Sequence, residues 1–333
     1  MRINFNPFPV AIKPIKPRLS GNIFGAGLDK DILYTFSGKS ALAILLQYYR
    51  SIGRLKDKSE QVLVPEWIGY WVYMTMHKHC FPTTVFNKKV KGILVYHQWG
   101  FPQDMKAIKA FCSDKNLFCI EDCAHAAFSN YQDQRLGTLG DASIFSLAKF
   151  FPSVVGGAIW TRNRALKRFV ADKLKIHEDK LSKQVFLRRF LCEKNSTHEN
   201  SIELERNYAI YDRLFPCPGI SLNIVRQGLN EGALAKRKRN YELLRSAFAR
   251  FDVHSLYVDD VLPWAMPLFL KPSSAKRVVD KLKASGIETG LYHFDIRQNM
   301  LKPDYRVCVG LPCHQEITES TILKIVDIVL KNV

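Results

Sequence analysis

The sequence predicts an α/β fold in which a mostly parallel sheet is flanked by helices and joined to a smaller C-terminal α/β unit. Three observations predict it. Between residues 31 and 160, short apolar runs alternate with helix-length segments, the rhythm of βαβ units. One of these runs, Leu117 to Ile120, has the length and composition of a buried parallel strand and stops at two carboxylates, Glu121 and Asp122. After Trp160, helical segments dominate to about Arg250, and a second, shorter strand–helix alternation closes the chain.

Taken in order, the first thirty residues are rich in Pro and Gly and read as a surface arm. Ile32 to Phe36 is a short strand or extended entry, Ser37 and Gly38 form a turn, and Leu42, Leu45, Leu46 and Tyr49 mark one face of the following helix. Gln61 to Val64 is a strand ended by Pro65, followed by a helix through GYWVYMTMHKH. Strands are expected at Thr83 to Phe86 and Gly92 to Tyr96, then a helix from about Gln103 to Cys112 and the Leu117 strand. Ala142 to Phe145 is the next strand, and Gly156 and Gly157 open another. The late unit reads as a strand at Pro267 to Leu270, a helix at Ser273 to Ala284, a strand at Arg306 to Val309 and a helix at Thr318 to Leu330. The expected division is an arm at 1–30, a large domain at 31–215, and a helical linker with a small α/β domain at 216–333.

Composition bounds the function. The 333 residues are 47% apolar, ordinary for a folded chain. No stretch has the apolar length of a bilayer span and the N-terminus has no continuous apolar signal core, so a cytoplasmic protein is expected. The eight cysteines have no metal-ligand spacing and read as reduced thiols, and no metal site is expected. Asn195-Ser196-Thr197 has the form of a glycosylation acceptor, idle in that compartment. A net charge of +18 implies anionic partners, but the basic residues are not interleaved with aromatics as in a repeated nucleic-acid module.

Chemistry is expected where strand ends converge. Acids at the carboxyl edge of a parallel strand sit where open α/β sheets bind ligands. The Ala142 strand is followed by Ser146 and, three residues on, by Lys149. A lysine amine there can condense with an aldehyde cofactor if burial or nearby cations hold it neutral. Asp122 would pair with a pyridine nitrogen, keeping the ring protonated and able to accept electrons. Lys39 and Ser40 follow Gly38 at a helix start, where N–H groups, a hydroxyl and an ammonium can hold a phosphate together with Ser146. A phosphate-loop nucleotide site is excluded, because that motif needs a glycine where Leu33 stands. Among Trp67, Tyr70 and Trp71, just past a strand end, one aromatic would stack on a planar cofactor or pack in the core. Singly, Asp122 reads equally as a helix cap, His125 as a core histidine and Lys149 as a surface amine. Their ordered placement at successive strand ends sets the group apart, and the roles together describe pyridoxal phosphate.

The series SGKSAL, YHQWGFPQDMKAI, IEDCAHA, GTLGDASIFSLAKFFPSVVGGAIWT, GIETGLYH and VGLPCHQEIT resembles the DegT/StrS-type sugar aminotransferases of the aspartate-aminotransferase-like fold, pyridoxal phosphate fold type I. The resemblance implies that Asp122 pairs with the pyridine nitrogen and that His125 lies beside the phenolic oxygen. It further implies that Gly38, Lys39, Ser40 and Ser146 bind the phosphate, with Trp67 or Tyr70 as the stacking aromatic in place of Gly69. His97, with Gly100, would line the site toward substrate, and Asn223 would reach the neighbouring subunit's phosphate. Lys149 would carry the cofactor, although the family's lysine follows the serine by five residues and Phe151 stands there. The implied activity is transfer of an amino group, with glutamate as donor, to a keto-sugar linked to a nucleotide, in polysaccharide biosynthesis, by a homodimer with shared sites. The alternative reading is a repurposed, non-catalytic member that binds an anionic ligand on the same fold.

Overall fold

The computed structural model describes residues 3–7, 21–175, 214–251 and 260–333, with part of 183–191. The helical reading between 176 and 213 falls largely outside the described residues, as does the Asn195 sequon. Twelve strands are described in chain order: β1 (Ile32–Thr35), β2 (Gln61–Leu63), β3 (Phe81–Thr83), β4 (Val90–Tyr96), β5 (Phe118–Asp122), β6 (Asn130–Tyr131), β7 (Gln134–Arg135), β8 (Ala142–Ser146), β9 (Gly157–Trp160), β10 (Ala265–Leu268), β11 (Leu291–Asp295) and β12 (Tyr305–Pro312).

Seven of them form the central sheet in the order β1-β9-β8-β5-β4-β2-β3. The pairs from β8 through β5, β4 and β2 to β3 are parallel, and β9 alone runs antiparallel to both its neighbours. The carboxyl ends of β4, β5 and β8 therefore open on one edge. Both faces of the sheet are covered, which is why the central strands read as continuous apolar runs. Along β5, Phe118 and Ile120 enter the core beneath the helix Gly38–Ser51, while Cys119 enters the core on the opposite face. The alternation fixes where the terminal acids go: Asp122 shares the face of Phe118 and Ile120, and Glu121 that of Cys119.

The helices begin where the sequence supplies caps. Asp104 caps Met105–Lys115 by accepting from Ala107 N at 3.0 Å, and Asn116 ends it in the left-handed conformation. Thr318 caps Glu319–Leu330. One strand expectation is corrected. The strand placed at Thr83 to Phe86 lies at Phe81–Thr83, because Pro82 is tolerated at the sheet edge that β3 occupies, leaving Val85 and Phe86 exposed.

The second sheet, β10-β12-β11, is antiparallel and packs with the helices Ala233–Ala247, Pro272–Ala284 and Glu319–Leu330 around its own core. That core also takes Phe5 from the N-terminal segment and Trp99 and Phe101 from the β4 end. Ile3 bridges to Ile287, Phe5 N donates to Glu288 Oε2 at 3.1 Å, and Trp264 Nε1 donates to Asn6 Oδ1 at 2.9 Å. Part of the expected surface arm is thus built into the second unit. Among the described residues no helix is long and apolar enough to cross a membrane.

Candidate active site

A cavity of about 460 Å³ opens at the carboxyl ends of β4, β5 and β8 and the start of the helix Gly38–Ser51. It is of the size that holds a cofactor-sized molecule. Gly38, Lys39, Asp122, His125, Ser146 and Lys149 all line it, so six of the ten expected cofactor residues converge.

The helix start is held tightly against the sheet. Ser37 is the N-cap and its Oγ accepts from Ser40 N at 3.0 Å. A side chain on Gly157 would lie 2.2 Å from the Ser37 carbonyl carbon, so only glycine lets β9 pass this turn. The first-turn N–H groups lack helical acceptors, no acidic residue sits in that turn, and Gly38 and Lys39 face the cavity. Ser40 does not. It is fully buried, with its Oγ 3.1 Å from that of Ser37, and serves the cap, while Ser37 takes its place in the lining.

The two acids ending β5 diverge. Glu121 is fully buried and accepts from Leu139 N at 2.7 Å, Gly140 N at 2.6 Å and Gly137 N at 2.9 Å. It also lies 3.1 Å from His97 Nε2, and His97 Nδ1 accepts from Gln103 N. Since Nδ1 accepts, Nε2 carries the proton and donates to Glu121. Both ring nitrogens are engaged and His97 is fully buried away from the cavity lining, which corrects the expectation that it meets substrate. Asp122 is almost as buried but holds one side-chain hydrogen bond among the described residues, from Ala124 N to Oδ1 at 2.9 Å. Burial raises its pKa to about 6, against the opposing pull of the backbone hydrogen bond and of His97 and Lys149.

Lys149 ends a 3-10 turn, Leu147–Lys149, that follows Ser146 directly. Phe151, five residues past Ser146, is fully buried and packs edge-on to Phe128. The short turn thus sends the lysine to the cavity and the phenylalanine to the core. Lys149 Nζ lies 5.2 Å from the centre of the Trp264 ring, on which His125 stacks with centroids 4.0 Å apart and planes 1° from parallel. His125 Nδ1 shares a 2.7 Å hydrogen bond with Tyr96 Oη. Burial first, and then the charges of Lys149 and Arg237, push the His125 pKa well below the usual range, so the ring is neutral.

Three expected residues lie elsewhere. Trp67 is 44% exposed and stacks on His293 with centroids 3.7 Å apart, and Tyr70 is 65% exposed with its ring edge-on to Trp71. Trp71 itself lines the cavity, with Lys39 Nζ 5.2 Å from its ring. Asn223 is half-buried on the helix Gly219–Asn230, outside the cavity lining. The residues the sequence reading missed are Ser37, Tyr96, Asn6 and Glu288 in the wall, and Trp264 beneath His125.

Residues 83–330 match the DegT/DnrJ/EryC1/StrS aminotransferase family. Over 82 residues the chain is 40% identical to the GDP-perosamine synthase of Escherichia coli O157:H7, covering 24% of this chain and 22% of that protein. Over 83 residues it is 39% identical to the dTDP-3-amino-3,6-dideoxy-alpha-D-galactopyranose transaminase of Aneurinibacillus thermoaerophilus, covering 24% and 23%. The matched portion of the first curated relatives is 16–36% of their length. In fold the chain is similar to Helicobacter pylori PseC, an aminotransferase involved in the biosynthesis of pseudoaminic acid, with TM-score 0.70 at 16% identity over 100% of this chain and 99% of that one. A DegT DnrJ EryC1 StrS aminotransferase from Brucella abortus gives TM-score 0.62 at 15% identity over 90% and 85%.

Proposed function

The chain belongs to the DegT/DnrJ/EryC1/StrS aminotransferase family, and from that premise we propose that it uses pyridoxal phosphate to move an amino group from glutamate to a nucleotide-linked keto-sugar. The observation that carries the reading is the convergence of Asp122, His125, Ser146, Lys149 and the Gly38 helix start on one cavity.

The residues fit the cofactor. Asp122 Oδ2 has no hydrogen-bond partner among the described residues, although the side chain is almost wholly buried, and a protonated ring nitrogen is the donor it lacks. Ser37, Gly38, Lys39 and Ser146 would hold the phosphate, and Trp71 or the neutral His125 would border the ring. When bound, pyridoxal phosphate supplies an aldehyde that condenses with amines and a ring that accepts the electrons of a broken Cα–H bond.

The protein's own groups do the rest. Asp122 holds a proton between its Oδ2 and whatever donor faces it. Lys149 Nζ, in its neutral form, takes the proton from the donor's Cα. Trp71, Val72 and Ile68 give the cavity apolar lining that excludes water, while Asn4, Asn6 and Glu288 give it hydrogen-bonding groups suited to sugar hydroxyls. Lys39 and the helix start add positive potential that suits a nucleoside diphosphate. The exposed Trp67, Tyr70, Met74 and Phe81 support a homodimer in which the partner covers these side chains.

The test is absorption spectroscopy of the purified protein with pyridoxal phosphate, before and after borohydride reduction, followed by peptide mapping. A reduced adduct on Lys149, with half-transamination by glutamate, is the expected result. Adducts only on scattered surface lysines would overturn the catalytic reading and favour the repurposed-fold alternative.

A further inference from the structure

Arg237, on the helix Ala233–Ala247, is fully buried, yet every hydrogen-bond partner it has among the described residues is neutral. Its Nε donates to Gln315 Oε1 at 3.3 Å, Nη1 to the Trp264 carbonyl at 3.3 Å, and Nη2 to the carbonyls of Lys149 and Phe150 at 3.2 and 3.3 Å. Its carbon lies 4.7 Å from the Phe150 ring centre, and Gln315 Nε2 adds a 2.6 Å bond to the same Phe150 carbonyl. A guanidinium taken out of water without a carboxylate is costly, and an apolar side chain of similar length would fill this space at lower cost. The retained charge and its planar fork therefore need a purpose beyond packing.

We propose that Arg237 is a positioning residue for Lys149, clamping the turn that carries the lysine to Trp264 and standing a fixed positive charge behind it. The inference rests on the aminotransferase reading above. The fork joins two elements far apart in sequence: the Leu147–Lys149 turn and the residue on which His125 stacks. With the lysine three residues past Ser146, the turn has little slack, and two of its carbonyls are held by one side chain. The charge opposes a second positive charge on Lys149, counter to the pull of the Asp122 carboxylate that lines the same cavity, and so shifts the amine toward its neutral form, the one that acts as nucleophile and base. The same field contributes to keeping His125 neutral.

The experiment is competitive labelling of the cofactor-free full chain with trace acetic anhydride across pH, with acetylation at Lys149 quantified by mass spectrometry. Arg237→Met removes the charge and the fork, and Arg237→Gln removes the charge while keeping a donor amide on the side chain. Both variants are expected to move the Lys149 labelling midpoint upward by about one pH unit, slowing labelling about tenfold below the midpoint, with other lysines unchanged. Near-UV circular dichroism checks the packing of each variant. A midpoint in folded Arg237→Gln equal to that of the parent overturns the proposal, even if Arg237→Met does not fold. No cofactor enters the measurement, so failure of the protein to bind pyridoxal phosphate would register separately, in the absorption experiment.

Discussion

Glu121 and Asp122 are neighbours on one strand, equally acidic in sequence and almost equally buried, yet they have opposite relations to their surroundings. Glu121 meets four donors, three of them main-chain N–H groups of residues 137–140, and so ties that loop and His97 to the sheet. Asp122 meets one donor and otherwise faces a cavity. A buried carboxylate whose oxygens are all satisfied belongs to the fold, and one left short of donors belongs to a ligand. The pleat alone separates them, by sending adjacent side chains to opposite faces.

The sharpest way to break the comparison is Glu121→Gln. Its amide would set two donors against the Gly137 N–H and His97 Nε2–H, and a loss of roughly 3–5 kcal/mol of stability is expected, read by urea denaturation. Asp122→Asn, of the same chemistry one residue on, should instead leave the fold intact and lower kcat of the cofactor-loaded enzyme by about 10²–10³-fold in steady-state assays.

The same substitution sharpens the contrast in stability. Because the folded Asp122 has a pKa of about 6, above the ordinary carboxylate value of 3.8, the native state keeps a proton that the unfolded chain releases in between. Stability of the cofactor-free protein should therefore fall as pH rises from about 4 to 6, with the full penalty present above 6. Asp122→Asn removes that slope and should stabilise the cofactor-free protein by roughly 2–3 kcal/mol at pH 8, with little gain below pH 4, in melts across pH. Smallest is Ser37→Ala: losing the cap at the cavity wall should cost about 1 kcal/mol and weaken phosphate binding, seen by calorimetry with inorganic phosphate.

Much of this was legible because it is local. The acid at the strand end, the Gly38 helix start and the serine-to-lysine spacing each follow from a few adjacent residues. Where the reading went wrong, one step of geometry decided. Tyr96 pairs with Asp122 across β4 and β5 and lines the same cavity, whereas His97, one residue on, turns to the face of Glu121. Likewise Trp71 is rotated by about 100° from Tyr70 along their helix, which separates wall from solvent. Ser37 was within reach of capping rules, since it precedes Ser40 by three residues. Trp264, Asn6 and Glu288 were not, for they arrive from distant parts of the chain and no local pattern marks them.

The arrival of Asn4, Asn6 and Pro7 in the cavity wall bears on how the protein comes into being. These residues are synthesised well before their anchors, Trp264, Ile287 and Glu288, and a sequence separation of 283 lies between Phe5 and its carboxylate partner. A nascent chain that has completed the central sheet and the lysine turn still has an open vessel. Closing it waits for that long loop to shut. A change at Asn4 or Asn6 thus bears on the wall of the cavity, on the far side of the sequence from the residues that hold it there.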